Sequence, residues 1–389
     1  MKKISIIGRG TVGCLAVSHF LKWTDYEIEW IYDPSILTTP VGEGTNLTFP
    51  SLIETTMDFD SVDLDATHST PKMGIWKRGW GNGKDFKHTF PAGRVGIHFN
   101  ALEFQNYVFD RYINHPRIKI IEDSVLDCNS LDSDFITLCT GSPKKLNDDF
   151  VEHSSIPVNS AIVFQCPWEF PKFLYSLTFA KKYGWVFGIP LKNRCAIGYV
   201  YNEKFSSEDQ IREDVQSILK EFDLKPNTER KLNFYNYSRK NNFTDRLCYN
   251  GNASFFLEPL EATSTGNAIL VNRLSFDIWV DKKITTEEAD KRYATTIDEI
   301  ESMICLHYLS GSVYKTDFWS YAKSLAEEKY KKVLNTESEF KQVISETVFQ
   351  NYTKWYPSVG TWSSKSFFVN ITNLGLTEKL KSMFIQTVD

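Results

Sequence analysis

The chain has 389 residues, 42% of them hydrophobic, and a formal net charge of −5. It can bury a large core in more than one folding unit; its acid excess without a basic run excludes a nucleic-acid surface, and no apolar run reaches the ~20 residues that a membrane helix needs. Seven cysteines (Cys14, Cys128, Cys139, Cys166, Cys195, Cys248 and Cys305) are scattered, odd in number and without a Cys-x-x-Cys pair, which is the usage of a reducing, cytoplasmic compartment with no disulfide framework and no metal site.

A short β-branched strand over 4–7 enters Gly8-Arg9-Gly10-Thr11-Val12-Gly13, and an amphipathic helix follows with Leu15, Ala16, Phe20 and Leu21 on one side. The spacing is that of a dinucleotide turn. Gly8 makes the tight bend, Gly10 lets the backbone approach a pyrophosphate, and Gly13 lets helix and strand pack closely. Amides of the first helical turn, at Thr11 and Val12, would face the phosphates. A second strand over 28–32 ends at Asp33, where an acid is expected to hold a ribose. The early lysine pair does not announce a secretory signal, because Arg9 and the glycines interrupt any apolar core.

Val41-Gly42-Glu43-Gly44-Thr45 reads as a turn, too rich in glycine for a strand interior. Residues 71–99 read as strands with loops, 101–112 as a helix, and 118–121 and 135–138 as short strands. The last runs into Cys139-Thr140-Gly141, a second pass under a dinucleotide. Strands recur at 161–164 and 195–201. Ser206 with Asp209 is expected to open a helix whose Ile211, Val215, Ile218 and Phe222 face inward. Thr285 with Glu288 opens another, carrying Tyr293, Ile297, Ile300 and Ile304. The remainder reads as mainly helical, with a loop around 357–364. Aromatics at 14% fit either a bulky core or a site for planar ligands.

These elements predict a mixed α/β fold: a Rossmann-like cofactor domain with an inserted β-sheet substrate region and a helical C-terminal cap. The expected boundaries are 1–282 for a discontinuous cofactor domain with its inserted sheet (about 71–99 and 155–240), and 283–389 for the cap.

Four further stretches, taken in order, resemble the flavin-dependent halogenases of the tryptophan-halogenase family. Val41 to Thr45 is close to that family's Val-Gly-Glu-Ala-Thr loop. Gly184-Trp185-Val186-Phe187-Gly188-Ile189-Pro190-Leu191, followed by Gly198-Tyr199-Val200-Tyr201, is similar to its Trp-x-Trp-x-Ile-Pro signature and the strand after it. Gly251-Asn252-Ala253 and Phe256 to Ser264 resemble its Glu-Pro-Leu-Glu-Ser-Thr segment, and Leu306-His307-Tyr308 with Asp317-Phe318-Trp319 also has a counterpart. Together these cover most of residues 1–320. The chain departs from the pattern at Phe187, where the signature has tryptophan, and at Ala262 and Ser264; it shows no match after Trp319. It is also short for the tryptophan-specific members, so tryptophan is not the expected substrate.

The resemblance implies an enzyme that uses FAD, supplied as FADH2 by a separate flavin reductase, together with O2 and a halide (chloride, bromide or iodide). The product is hypohalous acid, which crosses the protein to halogenate a small electron-rich aromatic substrate. The cofactor carries the redox step while the protein binds, orients and excludes side reactions. The family's lysine maps onto Lys72, in Pro71-Lys72-Met73-Gly74-Ile75-Trp76. As an ammonium it would hydrogen-bond the hypohalous acid; as a neutral amine, favoured by burial, it would become a haloamine. Glu261 would take the proton from the arene or hold the lysine and halogen in place. Val41, Gly42, Glu43, Gly44 and Asn252 are implied flavin contacts. The backbone amides of Thr263 and Ser264 are the implied halide site. Trp185, Phe187 and Pro190 would wall the substrate pocket. Lys77 and Lys84 have no match and read as structural, as do Glu258, His98 and His307. A flavin monooxygenase and a flavin-binding protein without turnover are the alternative readings. The sequence leaves assembly into a homo-oligomer open.

Overall fold

The computed structural model describes residues 1–36, 42–125, 127–351 and 362–386. The opening β-branched run forms strand Lys3–Ile7 at the centre of a five-stranded parallel sheet. The order is Leu247–Tyr249, Phe135–Leu138, Lys3–Ile7, Glu27–Tyr32 and Ile118–Glu122. A parallel sheet needs cover on both faces. Ile4 and Ile6 cluster with Leu15 and Phe20 of helix Thr11–Trp23, whereas Ile7, Ile31 and Ile136 form a separate cluster. Helix Ser264–Trp279 packs beside the first helix, and its Trp279 stacks on Phe135 with ring centroids 5.0 Å apart.

The second large sheet has seven strands, in the order Thr228–Asn233, Ser160–Pro167, Arg194–Tyr201, Gly184–Pro190, Ser176–Lys181, Gly74–Arg78 and Phe86–Thr89. Its pairings are antiparallel except that between Ser176–Lys181 and Gly74–Arg78. Alternation divides its faces. Ile162, Phe164 and Val186 pack with Ile211, Val215 and Ile218 of helix Glu208–Glu221. Ala161, Val163, Trp185, Phe187 and Ile189 look into a cavity on the other side. Ser207 and Gln210 form a reciprocal capping box on that helix. The expected start at Ser206 with Asp209 is therefore one residue early, since a glutamine returns the second bond as well as an acid does.

The glycine-rich stretch after Asp33 also differs from expectation. Gly42–Gly44 is a short strand, antiparallel to Gly96–Asn100. Strand pairing uses only backbone groups, and the fit here is close: a Cβ at Gly44 would come within 3.3–3.4 Å of Ser176, His98 and the Lys72 amine.

Beyond the sheets lie helices Thr286–Ser310, Asp317–Asn335, Glu339–Phe349, Ser364–Asn373 and Thr377–Gln386. Thr285 caps the first as expected, and Tyr293, Ile297, Ile300 and Ile304 are buried. Much of the expected loop at 357–364 lies outside the described residues. Trp80 ties sheet to helices. It donates to the Thr178 carbonyl at 3.0 Å and meets Trp185, His307, Tyr308 and Trp319 at centroid distances of 5.3–6.4 Å. Much of the aromatic content therefore serves the core. All seven cysteines are free. Among the described residues, no helix is long and apolar enough to cross a membrane and no group of side chains has the makings of a metal site.

Candidate active site

The three glycines of the first turn separate into two kinds. Gly8 has φ +115°, and a Cβ there would sit 2.3 Å from the Cys139 carbonyl oxygen; one on Gly13 would sit 2.1 Å from that of Gly8. Both serve the packing of strand on helix. Gly10 is different: a Cβ on it would meet nothing within 4 Å, because it faces a cavity of about 480 Å³. Thr11, Val12, Cys139, Gly141 and Asn252 line the same cavity, and helix Thr11–Trp23 points its N-terminal amides toward that end.

Glu43 closes over this turn. Its Oε1 accepts from the Thr11 hydroxyl at 3.1 Å, and Thr11 in turn accepts from the Gln105 amide at 3.0 Å. Burial pushes the Glu43 carboxyl up to about 7, with the Thr11 bond opposing. Gly44 lines the cavity as well, and Gly42 pairs through its backbone with Asn100. Val41 lies outside the described residues. Asp33 follows its strand as expected; bonds from Ser124 and Ser35 hold its carboxyl below the usual range, and it is not among the residues lining the cavity.

Lys72, Ile75, Trp185, Phe187 and Glu261 line the cavity that Gly10 faces. The Lys72 side chain is buried, and among the described residues its amine has no hydrogen-bond partner; the Phe90 ring lies 5.8 Å away. Burial pushes this amine down to about 8, with Glu261 opposing and the charge of Lys77 adding to the fall. Trp185 donates to Glu258 Oε2 at 2.8 Å, and the Tyr308 hydroxyl donates to the same oxygen at 2.9 Å. The Phe187 ring is fixed against Gly198, where a Cβ would come within 2.0 Å of it. Pro190 does not line the cavity; its carbonyl accepts from the Thr70 hydroxyl at 2.5 Å.

Glu261 stands at the end of an unusual segment. Glu261 and Ala262 are adjacent non-glycine residues with φ of +71° and +53°, a strained pairing of the kind that clusters at functional sites. Thr263 then returns to φ −89° at the N-cap position of helix Ser264–Trp279, with no side-chain bond to the helix amides. The sign of φ thus changes between Ala262 and Thr263, and the Ala262 amide donates to the Pro259 carbonyl at 3.1 Å. Ser264 and Thr265 line the cavity; Thr263 is buried and is not among the lining residues.

The sequence reading missed what surrounds the Glu261 carboxylate. Lys77 donates to Glu261 Oε1 at 2.5 Å, to His307 Nε2 at 2.5 Å and to Asn370 Oδ1 at 2.8 Å. Trp362 donates to Glu261 Oε2 at 2.9 Å. His307 Nδ1 lies 3.0 Å from the Met303 carbonyl, so its proton belongs there and Nε2 accepts. Burial alone would raise the Glu261 carboxyl, but the charge of Lys77 outweighs it and holds the group well below the carboxylate range. Removing either charged partner would strand the other, at about 3–5 kcal/mol. One signal in the sequence points to Lys77: it stands two residues from Ile75 in one strand, on the same, inward face.

Comparison with known proteins gives a consistent picture. The model of the family described as tryptophan halogenase matches residues 3–131 and 119–363, further than the stretches quoted above. The tryptophan 7-halogenase RebH of Lentzea aerocolonigenes is 25% identical over 255 residues, covering 62% of this chain and 47% of the relative. The tryptophan 6-halogenase ThaL of Streptomyces albogriseolus is 23% identical over 264 residues, 60% of this chain and 49% of its own. The chain thus spans about half the length of these curated relatives. Among solved structures, BrvH, a flavin-dependent halogenase from Brevundimonas, superposes with TM-score 0.78 at 18% identity, covering 100% of this chain and 96% of its own. At that identity the likeness concerns the fold, which is mixed α/β with a Rossmann-like FAD-binding part.

Proposed function

Because the chain belongs to the tryptophan halogenase family, we propose that it is a flavin-dependent halogenase acting on a small electron-rich arene other than tryptophan. The observation that carries this reading is a single cavity lined both by the open Gly10 turn and by Lys72, whose amine has no hydrogen-bond partner among the described residues. Gly10, Thr11, Val12, Glu43, Gly44, Cys139, Gly141 and Asn252 would hold FAD. The turn fits it: Gly10 leaves open the space a pyrophosphate needs, and the helix N-terminus faces that space. When bound and reduced, the flavin with O2 supplies the oxidising equivalent that turns halide into hypohalous acid. The amides at Thr263 and Ser264 suit the halide, offering partial charge without a fixed counter-cation.

Lys72 takes the electrophilic halogen. Its neutral amine attacks the halogen of the hypohalous acid, an N–halogen bond forms, the O–halogen bond breaks and water leaves. The arene then attacks that halogen; a C–halogen bond forms, the N–halogen bond breaks, and the ring proton returns the nitrogen to an amine. A carboxylate held as low as that of Glu261 is a weak base. Its role is therefore electrostatic, on the halogen-bearing end of Lys72. Trp185 and Phe187 wall the passage, and Phe187, smaller than the family's tryptophan, leaves room for a different arene.

The chain carries one dinucleotide fingerprint, so reduced FAD is expected from a separate reductase. Purified protein given NADH, FAD, bromide and an electron-rich arene should form no product, and adding any competent flavin reductase should restore it. Stoichiometric NADH oxidation by the chain alone would defeat this. Oxygenated product formed at the same rate without halide would instead favour the monooxygenase reading.

A further inference from the structure

We infer that Lys77 is a positioning residue, which clamps Glu261 from behind so that the Lys72 amine faces the cavity without an ion-pair partner among the described residues. The inference rests on the halogenase reading for its purpose, though not for its test. Its basis is geometric. A lysine ammonium has three protons, and Lys77 has three acceptors, on Glu261, His307 and Asn370, at 2.5, 2.5 and 2.8 Å. All three approach a side chain with no exposed surface. Trp362 occupies the second oxygen of Glu261. Both oxygens of the carboxylate are thus held by groups that do not line the cavity, although Glu261 itself does.

A lone buried lysine beside a lone buried glutamate would be expected to pair. Here the cation that pairs with Glu261 is Lys77, and Lys72 is left over. The arrangement resolves two conflicting requirements. A haloamine route wants an amine that readily loses its proton, which a directly bonded carboxylate would oppose. A halogen-bearing nitrogen also wants a nearby negative end to orient it. A Glu261 neutralised by Lys77 supplies a dipole in place of a bare anion, so Lys72 stays readily deprotonated while the carboxylate remains in place.

The other charged and titratable groups around these residues are few. His98 and Lys72 act on one another electrostatically, and His98 is buried against Ser176 and Thr70. His88 feels Lys77, Glu261, Lys365 and His307 together. Burial keeps both histidines, and His307, below their usual range, so over the pH range in which Lys72 titrates they contribute no changing charge.

The test reads Lys72 directly and needs neither flavin nor halide. The rate at which its amine is methylated by formaldehyde and a borohydride is followed against pH, peptide by peptide, by mass spectrometry. Lys77→Met should raise the midpoint by at least about one pH unit, a tenfold change in the neutral fraction, because a repulsive charge is lost and Glu261 is free to turn toward Lys72. Glu261→Gln should lower it. The double variant Lys77→Met/Glu261→Gln removes both charges, strands neither, and should return near the wild-type midpoint. If Lys77→Met alone does not fold, the comparison of Glu261→Gln with the double variant carries the test, and the double must lie above the single. An unmoved midpoint in folded Lys77→Met, or a double variant that coincides with Glu261→Gln, overturns the proposal. Because no product is measured, such a failure would leave the halogenase reading standing, and loss of that reading would leave this result intact.

Discussion

A folded, flavin-loaded Lys72→Ala protein is expected to reoxidise reduced flavin in the presence of halide at close to the wild-type rate, while halogenated arene falls by at least ~100-fold, the scale of a positioned acid–base group. The structure explains why the two steps should part. The Lys72 amine makes no hydrogen bond among the described residues, so its loss strands no partner. The Gly10 turn and the segment at Thr263 and Ser264 lie on other elements and should keep their shape. The wild-type protein should show a matching pH dependence. Its Lys72 amine, pushed down to about 8, is protonated below that pH and neutral above it. Product formed per flavin oxidised should therefore rise as pH passes upward through about 8, and that rise should be absent from the variant. Regiochemistry decides the assignment. Escaped hypohalous acid would still halogenate an arene in the variant, but with solution selectivity; wild-type rate and wild-type selectivity together would sink the role given to Lys72.

Gly10→Val should abolish measurable flavin binding and leave the fold intact. A Cβ at this position meets no protein atom within 4 Å, so the branched side chain enters the cavity without displacing its walls. It occupies the space that a pyrophosphate must approach. The neighbouring glycines give the control. Gly13→Ala sets a methyl 2.1 Å from the Gly8 carbonyl and should lower stability by about 1–3 kcal/mol, the usual range for overpacking. Flavin titration and denaturant unfolding, run on both variants, should give opposite patterns. A folded Gly10→Val protein with unchanged flavin affinity would rule the turn out as the site.

The contrast between these glycines and Lys77 shows what a sequence can reveal. The demands of the first turn are local: a bend, a close approach and a helix start within Gly8 to Gly13 are written in adjacent residues. The helix 101–112 and the strand 135–138 were legible for the same reason, and the structure has them with those bounds. The strand at Gly42–Gly44 was not, because its stability comes from the backbone of Gly96–Asn100 and not from its own side chains. Lys72 was legible through a motif. Lys77 was not, since its partners lie 184, 230 and 293 residues away, on one turn and two helices. A lysine facing inward becomes intelligible only once its acceptors are known.

That separation also sets an order of assembly. Asn370 reaches Lys77 across 293 residues, further than Ile4 reaches Phe135 in the parallel sheet, so closing this contact costs more chain entropy than pairing the strands. In refolding, amide protection in the sheets should therefore appear before the Lys72 amine acquires its native reactivity. A chain emerging from the ribosome can lay down both sheets while Lys77 still lacks one of its acceptors. The hydrogen bonds around Lys77 are therefore expected to be complete only when helix Ser364–Asn373, which carries Asn370, has docked.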